Sequence, residues 1–343
     1  MKPLLNTLFV TSEDVYLALD GENVVVKKED KILHRFPLHN LSGIVCFSYK
    51  GASPRLMGVC AERNILLSFC TPSGKFLSRV VGETSGNVLL RREQYRIADD
   101  TLRSCNFGKH FIFGKISNAR AVIERIRRDH KERIDEDRFK EASQKLKNIL
   151  PSVLKESDLG VLRGLEGAAA TIYFDIYDEM ILNHKEDFYF HNRNKRPPLD
   201  NVNAMLSFAY SLLANDCASA LESVGLDSYV GFVHRDRPGR NSLALDLMEE
   251  LRACVGDRFV LTLINNRVMS QKHFTQRENG SVLMSDEGRS LFLKHWQQRK
   301  LEEIKHPYLD EKIMWGQVPY VQALLLSRCI RGDLDGYPPF LWK

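Results

Sequence analysis

The apolar period of this chain changes once, near Gly86, and the change separates two kinds of fold. Ahead of it, runs rich in Val, Ile, Leu and aromatics recur about every ten residues, the spacing of short strands. They are LNTLFV (5–10), VYLALD (15–20), NVVVKK (23–28) and ILHRF (32–36), parted by Ser12-Glu13-Asp14, Gly21-Glu22 and Glu29-Asp30. This predicts an antiparallel meander or small sandwich. A further strand is expected at Ile44–Phe47, a short helix over Ser53–Asn64, and a hairpin of ILLSFC (65–70) and KFLSRVV (75–81) about Thr71-Pro72-Ser73-Gly74. Beyond Val88 the apolar residues step by three and four. Ile112, Ile116, Ala119, Val122, Ile123 and Ile126 mark one face of a long helix. Helices are then expected over 138–149, 158–182, 201–223, 241–254, 286–302 and 318–330, with a polar connection at 183–200. The fold class is α+β: an N-terminal β-sandwich domain, residues 1–86, and a larger helical domain, residues 87–343.

Composition excludes several classes. No run of about 18 apolar residues exists, so no membrane span is expected. The N-terminus has no long apolar core followed by small residues and reads as strand, not as a signal peptide. The seven cysteines (46, 60, 70, 105, 217, 254, 329) form no C-x-x-C pair and suit free thiols in a reducing cytoplasm. The net charge of +5 is mild, but residues 103–147 carry 13 Lys/Arg against 7 Asp/Glu. That stretch is either a solvated face laced with i,i+4 pairs such as Glu124–Arg128, or a nucleic-acid contact surface.

Three segments carry candidate chemistry. In VGFVHRDRPGRNSLALDLMEELR (230–252), His234 ends an apolar run, a Pro238-Gly239 loop follows, and Asn241 or Ser242 caps a helix. Asp246, Glu249 and Arg252 sit three apart on that helix. An imidazole and carboxylates so placed suit a divalent cation, but acids on an amphipathic helix more often simply face water. In GVLRGLEGAAATIYF (160–174), Glu166 lies between Gly164 and Gly167. Glycines inside a helix need a compensating reason, either tight helix packing or close approach of a ligand. Arg163 stands one turn before Glu166. In RPPLDNVNAMLSFAYSLL (196–213), Asp200 or Asn201 caps a helix whose Asn203, Ser207 and Tyr210 form a polar flank of structural kind.

Together with the beginning LLNTLFVTSEDVYLALDGENVVV, the turn TPSGKF and the ending DGYPPFLWK, these segments closely resemble the CRISPR-associated integrase, the metal-dependent DNA endonuclease of spacer acquisition. The N-terminal wording and the ending look most like its subtype I-C branch. The resemblance spans nearly the whole chain and implies an N-terminal β-sandwich with a C-terminal helical domain. It implies that Glu166, His234 and Glu249 hold Mg2+ or Mn2+, with Asp246 an acid beside the site. Arg163, Arg237, Arg240 and Arg252 become candidates for holding phosphates. It further implies double-stranded and branched DNA as substrates, a homodimer formed through the β domains, and a complex with the small second CRISPR-associated protein. Two other readings compete: a general repair nuclease for branched DNA, and a non-catalytic DNA-binding scaffold whose acids only cap helices.

Overall fold

The computed structural model describes residues 7–12, 14–29, 31–41, 43–63, 65–71, 76–82, 88–194 and 197–342. The hairpin tip at 72–75 and the expected domain boundary between residues 86 and 87 lie outside the described residues.

The strand-rich segment runs β1 (Thr7–Val10), β2 (Tyr16–Asp20), β3 (Asn23–Lys28), β4 (Lys31–Pro37), β5 (Gly43–Cys46), α1 (Pro54–Glu62), β6 (Leu66–Cys70) and β7 (Phe76–Val80). Strands β2, β3 and β4 form the antiparallel meander the spacing predicts, with Leu17 opposite Val26 and Leu19 opposite Val24. The second sheet corrects the expectation of purely antiparallel pairing. Its order is β1-β5-β6-β7; β1 pairs parallel to β5 and β5 parallel to β6, and only β6–β7 is antiparallel. The reason is connection length. The whole meander separates β1 from β5, and α1 separates β5 from β6, so both links are crossovers rather than tight turns. Ser53 caps α1 by accepting from Leu56 N–H at 3.3 Å, with Pro54 at the first helical position. Both sheets and α1 share one apolar core, including Leu17, Val24 and Val26, Ile44, Cys46 and Leu67, Leu56 and Cys60. Strand β4 is different: it is exposed along nearly its whole length, Ile32 and Leu33 included.

The helical segment continues with α2 (Val88–Asp99), α3 (Thr101–Asp129), α4 (Glu136–Lys155), α5 (Leu159–Asp175), α6 (Asn201–Ser223), α7 (Ser242–Glu249) and α8 (Arg258–Asn265). Short strands β8 (Phe274–Gln276) and β9 (Val282–Met284) follow, then α9 (Asp286–Leu301), β10 (Glu303–Lys305), β11 (Lys312–Met314) and α10 (Val318–Arg331). Compactness divides the chain into two units. One holds the described part of residues 1–86 with 284–304 and 314–317; the other holds 88–283, 305–313 and 318–342. Six of the seven cysteines are buried and all seven are free.

In the second unit α3 is the central element, packed against α4, α5, α7 and residues 252–257. Asp100 caps it, accepting from Leu102 and Arg103 N–H at 2.9 and 3.0 Å, and Phe111, Ile112, Ile116, Val122 and Ile123 bury its apolar stripe. Asp200 caps α6 through Asn203 N–H at 2.7 Å. Two helices are shorter than their apolar period predicts. The segment expected over 158–182 is α-helical only to Asp175, then passes through a 3-10 turn at 178–180. The segment expected over 241–254 is α-helical only to Glu249 and becomes a π-helix over Arg252–Asp257. Neither Asn241 nor Ser242 caps α7 through a side chain; Ser242 Oγ instead donates to the carbonyl of Arg235 at 3.2 Å. Local widening of a helix is common at functional sites, and here it lies beside the candidate acids.

Candidate active site

Four elements of the helical unit build the site: α3, α5, the loop before α7, and α7 itself. The loop is held before it is functional. Buried Gln94 of α2 donates to the carbonyls of Asp227 and Val230 at 2.7 and 2.9 Å and accepts from Asp227 N–H at 2.9 Å. Phe232 rests on Phe107 with ring centroids 5.1 Å apart. Arg163 of α5 donates through Nε and Nη2 to the carbonyl of Val233 at 2.9 and 2.6 Å. Gly231 has to be glycine: a Cβ there would stand 2.8 Å from Ser242 and 2.9 Å from Asp246 Oδ2.

This close approach places Asp246, which is fully buried, under three successive amides. Its Oδ2 accepts from Phe232 and Val233 N–H at 2.6 and 2.9 Å, and its Oδ1 from His234 N–H at 2.9 Å. Oδ1 also lies 2.6 Å from His234 Nδ1. A carboxylate accepts only, so in the neutral ring the proton sits on Nδ1 and Nε2 presents a lone pair. Asp246 therefore acts through His234. Both of its oxygens are spent on the loop, and it orients the imidazole.

Glu249 lies one turn further along α7 and is buried, 5% exposed. Arg252 Nη1 donates to its Oε1 at 2.8 Å. Its Oε2 receives no aligned hydrogen bond and meets the ammonium of Lys115 in an ion pair at 2.7 Å. Desolvation pulls this carboxyl upward, but Arg252, Lys115 and then His234 outweigh it, and the pKa falls to about 2. Arg252 is held in turn. Its guanidinium stacks over the ring of Tyr210 at 4.3 Å, and Tyr210 donates to Asp257 Oδ1. Arg193 covers the same ring at 5.2 Å and donates to Asn203 and Ser207 at 2.6 and 3.1 Å. The polar flank Asn203–Ser207–Tyr210 is thus structural, as its spacing suggests, and it ends on the arginine that fixes Glu249.

Glu166 enters from α5, and Lys115 Nζ also contacts its Oε1. The glycines around it do not serve tight packing: a Cβ at Gly164 or Gly167 would meet nothing within 4 Å. Glu166, His234 and Glu249 line one cavity of about 320 Å3, with Ile112, Val233, Arg163, Arg235, Arg237 and Arg240. Its floor is acidic and its rim strongly basic. Among the described residues, Arg237 and Arg240 have no carboxylate within ion-pair distance, whereas Arg163 and Arg252 are committed to Val233 and Glu249. Among the described residues no three His, Cys, Asp or Glu side chains form a ready-made ion cage; the Lys115 ammonium stands between the two glutamates. Lys115 is the site residue that sequence reasoning misses.

The basic stretch 103–147 is largely paired. Glu124 takes Arg120 and Arg127, not Arg128, which pairs with Asp129. Arg125 pairs with Asp129, Lys131 with Glu136 and Lys145 with Glu141, while Arg138 bridges to Asp175 and Glu179. These pairs favour a solvated, self-compensated face. No helix among the described residues is long and apolar enough to cross a membrane.

Comparison with known proteins agrees with this architecture. The family described as "CRISPR associated protein Cas1" matches residues 8–298. A CRISPR-associated endonuclease Cas1 of Chlorobaculum tepidum is 46% identical over 343 residues, covering all of both chains. One of Rhodospirillum rubrum is 47% identical over 347 residues, again covering both entirely. Among solved structures, a casposase bound to integration product superposes with a TM-score of 0.84 at 22% identity, covering 99% of this chain and 95% of that one. A Cas1 protein from Thermotoga maritima superposes with a TM-score of 0.79 at 21% identity, covering 95% of this chain and 97% of that one. Those two likenesses concern the fold; the full-length identities to curated endonucleases reach further. A strand-rich N-terminal segment, a helical remainder and an acid–histidine cleft are thus found in a chain that belongs to the Cas1 family of CRISPR-associated proteins.

Proposed function

We propose that the chain is a divalent-metal-dependent DNA endonuclease and integrase that inserts short DNA fragments into a CRISPR array, and that Glu166, His234 and Glu249 hold its Mg2+ or Mn2+. The observation that carries the reading is that all three side chains line one basic-rimmed cavity. Their chemistry fits the ion: two carboxylates and one imidazole lone pair suit a hard divalent cation. Glu166 and Glu249 both turn a carboxylate oxygen toward one enclosed positive charge, the Lys115 ammonium, the kind of acid pair that a divalent cation can also hold.

When bound, the ion supplies Lewis-acid polarisation of the scissile phosphodiester and neutralises charge developing there. The remaining work belongs to the chain. Asp246 holds His234 through Nδ1 and leaves the Nε2 lone pair free on a side chain that lines the cavity. Arg252, stacked on Tyr210, fixes the Glu249 carboxylate. Arg163 holds the loop that carries His234. Arg237 and Arg240 on the rim bind phosphate oxygens and set the DNA against the acidic floor. One cavity serves hydrolysis and integration alike, because they differ only in whether water or a DNA 3′-hydroxyl attacks. Asp246 belongs to this machinery as the residue behind His234 rather than as a ligand.

Family membership supports assembly with the small second CRISPR-associated protein, and the exposed β4 edge supports pairing of two copies through their strand-rich units. Subtype I-C remains the branch proposed for this chain from its N-terminal wording and its ending. The test is manganese-dependent cleavage of branched DNA and strand transfer into a leader–repeat substrate. Folded Glu166→Ala, His234→Ala and Glu249→Ala variants are each expected to lose at least about 100-fold, the loss of roughly 3 kcal/mol of transition-state stabilisation. Wild-type rates in two of the three would overturn the ligand assignment. Equal transfer into non-repeat DNA would favour a general repair nuclease.

A further inference from the structure

The described side chains hold one cation in the place where the proposed metal belongs. Lys115 projects from α3 with only 14% of its side chain exposed. Its ammonium contacts Glu166 Oε1 and stands 2.7 Å from Glu249 Oε2. Arg252 already holds Glu249 Oε1, so the oxygens facing Lys115 are those left for an ion. Its neighbours on the helix, Ile112, Ile116 and Ala119, are core residues. The ammonium has thus been brought to this point by the packing of α3, unlike a surface lysine that folds back onto a chance partner.

We propose that Lys115 is an internal counter-cation. In the metal-free protein it holds Glu166 and Glu249 together and keeps the acidic floor from repelling itself apart. A divalent ion binding the same oxygens competes with it, because an ammonium and a dication held side by side on one pair of carboxylates repel each other. Lys115 is therefore a positioning residue that both preforms the site and lowers its affinity for metal. Its stem suits that role, since four flexible carbons let the ammonium withdraw without moving the helix. This inference rests on the reading of Glu166, His234 and Glu249 as metal ligands.

The test uses the full-length protein, with Mn2+ affinity measured by calorimetry and melting temperature measured in chelator. Lys115→Met and Lys115→Gln remove the charge and keep much of the stem. Each is expected to bind Mn2+ at least about tenfold tighter than wild type. Each should also melt several degrees lower in chelator, with saturating Mn2+ closing the difference. Either uncharged variant suffices should the other fail to fold; Lys115→Arg keeps a cation and is expected to show no tightening, and tightening equal to that of the uncharged variants would overturn the proposal. A purely structural lysine would lower the melting point without tightening Mn2+, and that result overturns the proposal. Wild-type protein that takes up no Mn2+ at millimolar concentration overturns the metal-site reading itself and this inference with it. Wild type that binds Mn2+, with uncharged variants that bind it no better, overturns the inference alone.

Discussion

The end of α7 places two glutamates side by side in the chain and treats them in opposite ways. Glu249 turns toward Lys115, Arg252 and His234, and its pKa is driven down to about 2 against the pull of burial. Glu250 turns toward neutral donors. It accepts from Tyr337 Oη, from Gln322 Nε2 at 3.1 Å and from Phe340 N–H at 2.8 Å. With no cation to offset its burial, its pKa rises to about 7, although those three donors temper the rise. The same residue type is a charged floor on one side and a clasp on the other. The clasp gathers the C-terminal segment. Asn118 of α3 donates to the carbonyls of Glu250 and Phe340 at 2.6 and 2.7 Å and accepts from Trp342 N–H at 2.8 Å. Gly114 permits the contact, since a Cβ there would stand 2.8 Å from Glu250 Cβ. Function is thus expected to concentrate on the Glu249 side and stability on the Glu250 side.

The largest effect that sharpens this contrast is truncation of the clasp. Glu250→Ala leaves Tyr337, Gln322 and the Phe340 amide with unmet hydrogen bonds in a buried place. The expected loss is about 3–4 kcal/mol of folding stability, from donors that cost roughly 1–3 kcal/mol each when stranded. The helical unit should melt roughly 10 °C lower, while cleavage per folded molecule stays within about threefold of wild type. A variant that melts normally but loses cleavage would break the division of labour.

The next effect is a pH dependence that belongs to Glu250. Its folded pKa of about 7 lies above the ordinary 4.5, so between those values the folded chain holds a proton that the unfolded chain releases. Stability from this group is fully present below about pH 4.5 and is lost as pH rises through about 7. The expected loss across that window is about 3 kcal/mol, at roughly 1.4 kcal/mol for each pH step between the two values. Glu250→Gln removes the titration. Its melting temperature should therefore fall less than that of wild type between pH 5 and pH 7.5. Parallel curves for the two proteins would mean that Glu250 is ionised throughout and that its donors overcome its burial.

The two sides differ also in how far the sequence discloses them. Glu166, His234 and Glu249 stand in segments with odd features: glycines inside a helix, an imidazole ending an apolar run, acids at three-residue spacing. The meander β2–β4 is equally open to view, because its strands are joined by short polar turns. Parallel pairing of β1, β5 and β6 is not, since strand direction depends on how long connections pass and not on the apolar period within each run. Asp246 is legible as an acid near the site, but its role depends on three loop amides folding over it. Lys115 is hidden by its neighbours. In a stretch of 13 basic residues it reads as one more surface charge. A signal is nonetheless there: Lys115 follows Ile112 by three and precedes Ala119 by four, which puts a cation on the core stripe itself. Glu250 gives no such sign, because the partners that define it lie some 70–90 residues further along the chain.

The smallest effect probes the outer edge of the Glu249 side. Arg237 and Arg240 lie on the rim in a turn closed by Arg240 N–H donating to the Arg237 carbonyl at 3.0 Å, a bond that side-chain truncation leaves intact. Replacing either by alanine should leave the melting temperature within about 1 °C, as surface changes away from special contacts do. Each replacement should weaken DNA binding only about threefold to tenfold at moderate salt. It should also lower the slope of log affinity against log salt by about one, the signature of one lost phosphate contact. Arg163→Ala is the contrasting control. Its guanidinium is spent on the Val233 carbonyl, so removing it should lower the melting point and disturb His234 while changing the salt slope little. If Arg237 and Arg240 leave the slope unchanged and Arg163 alters it, the rim and the loop anchor have exchanged roles, and DNA would approach the cavity from the α5 side.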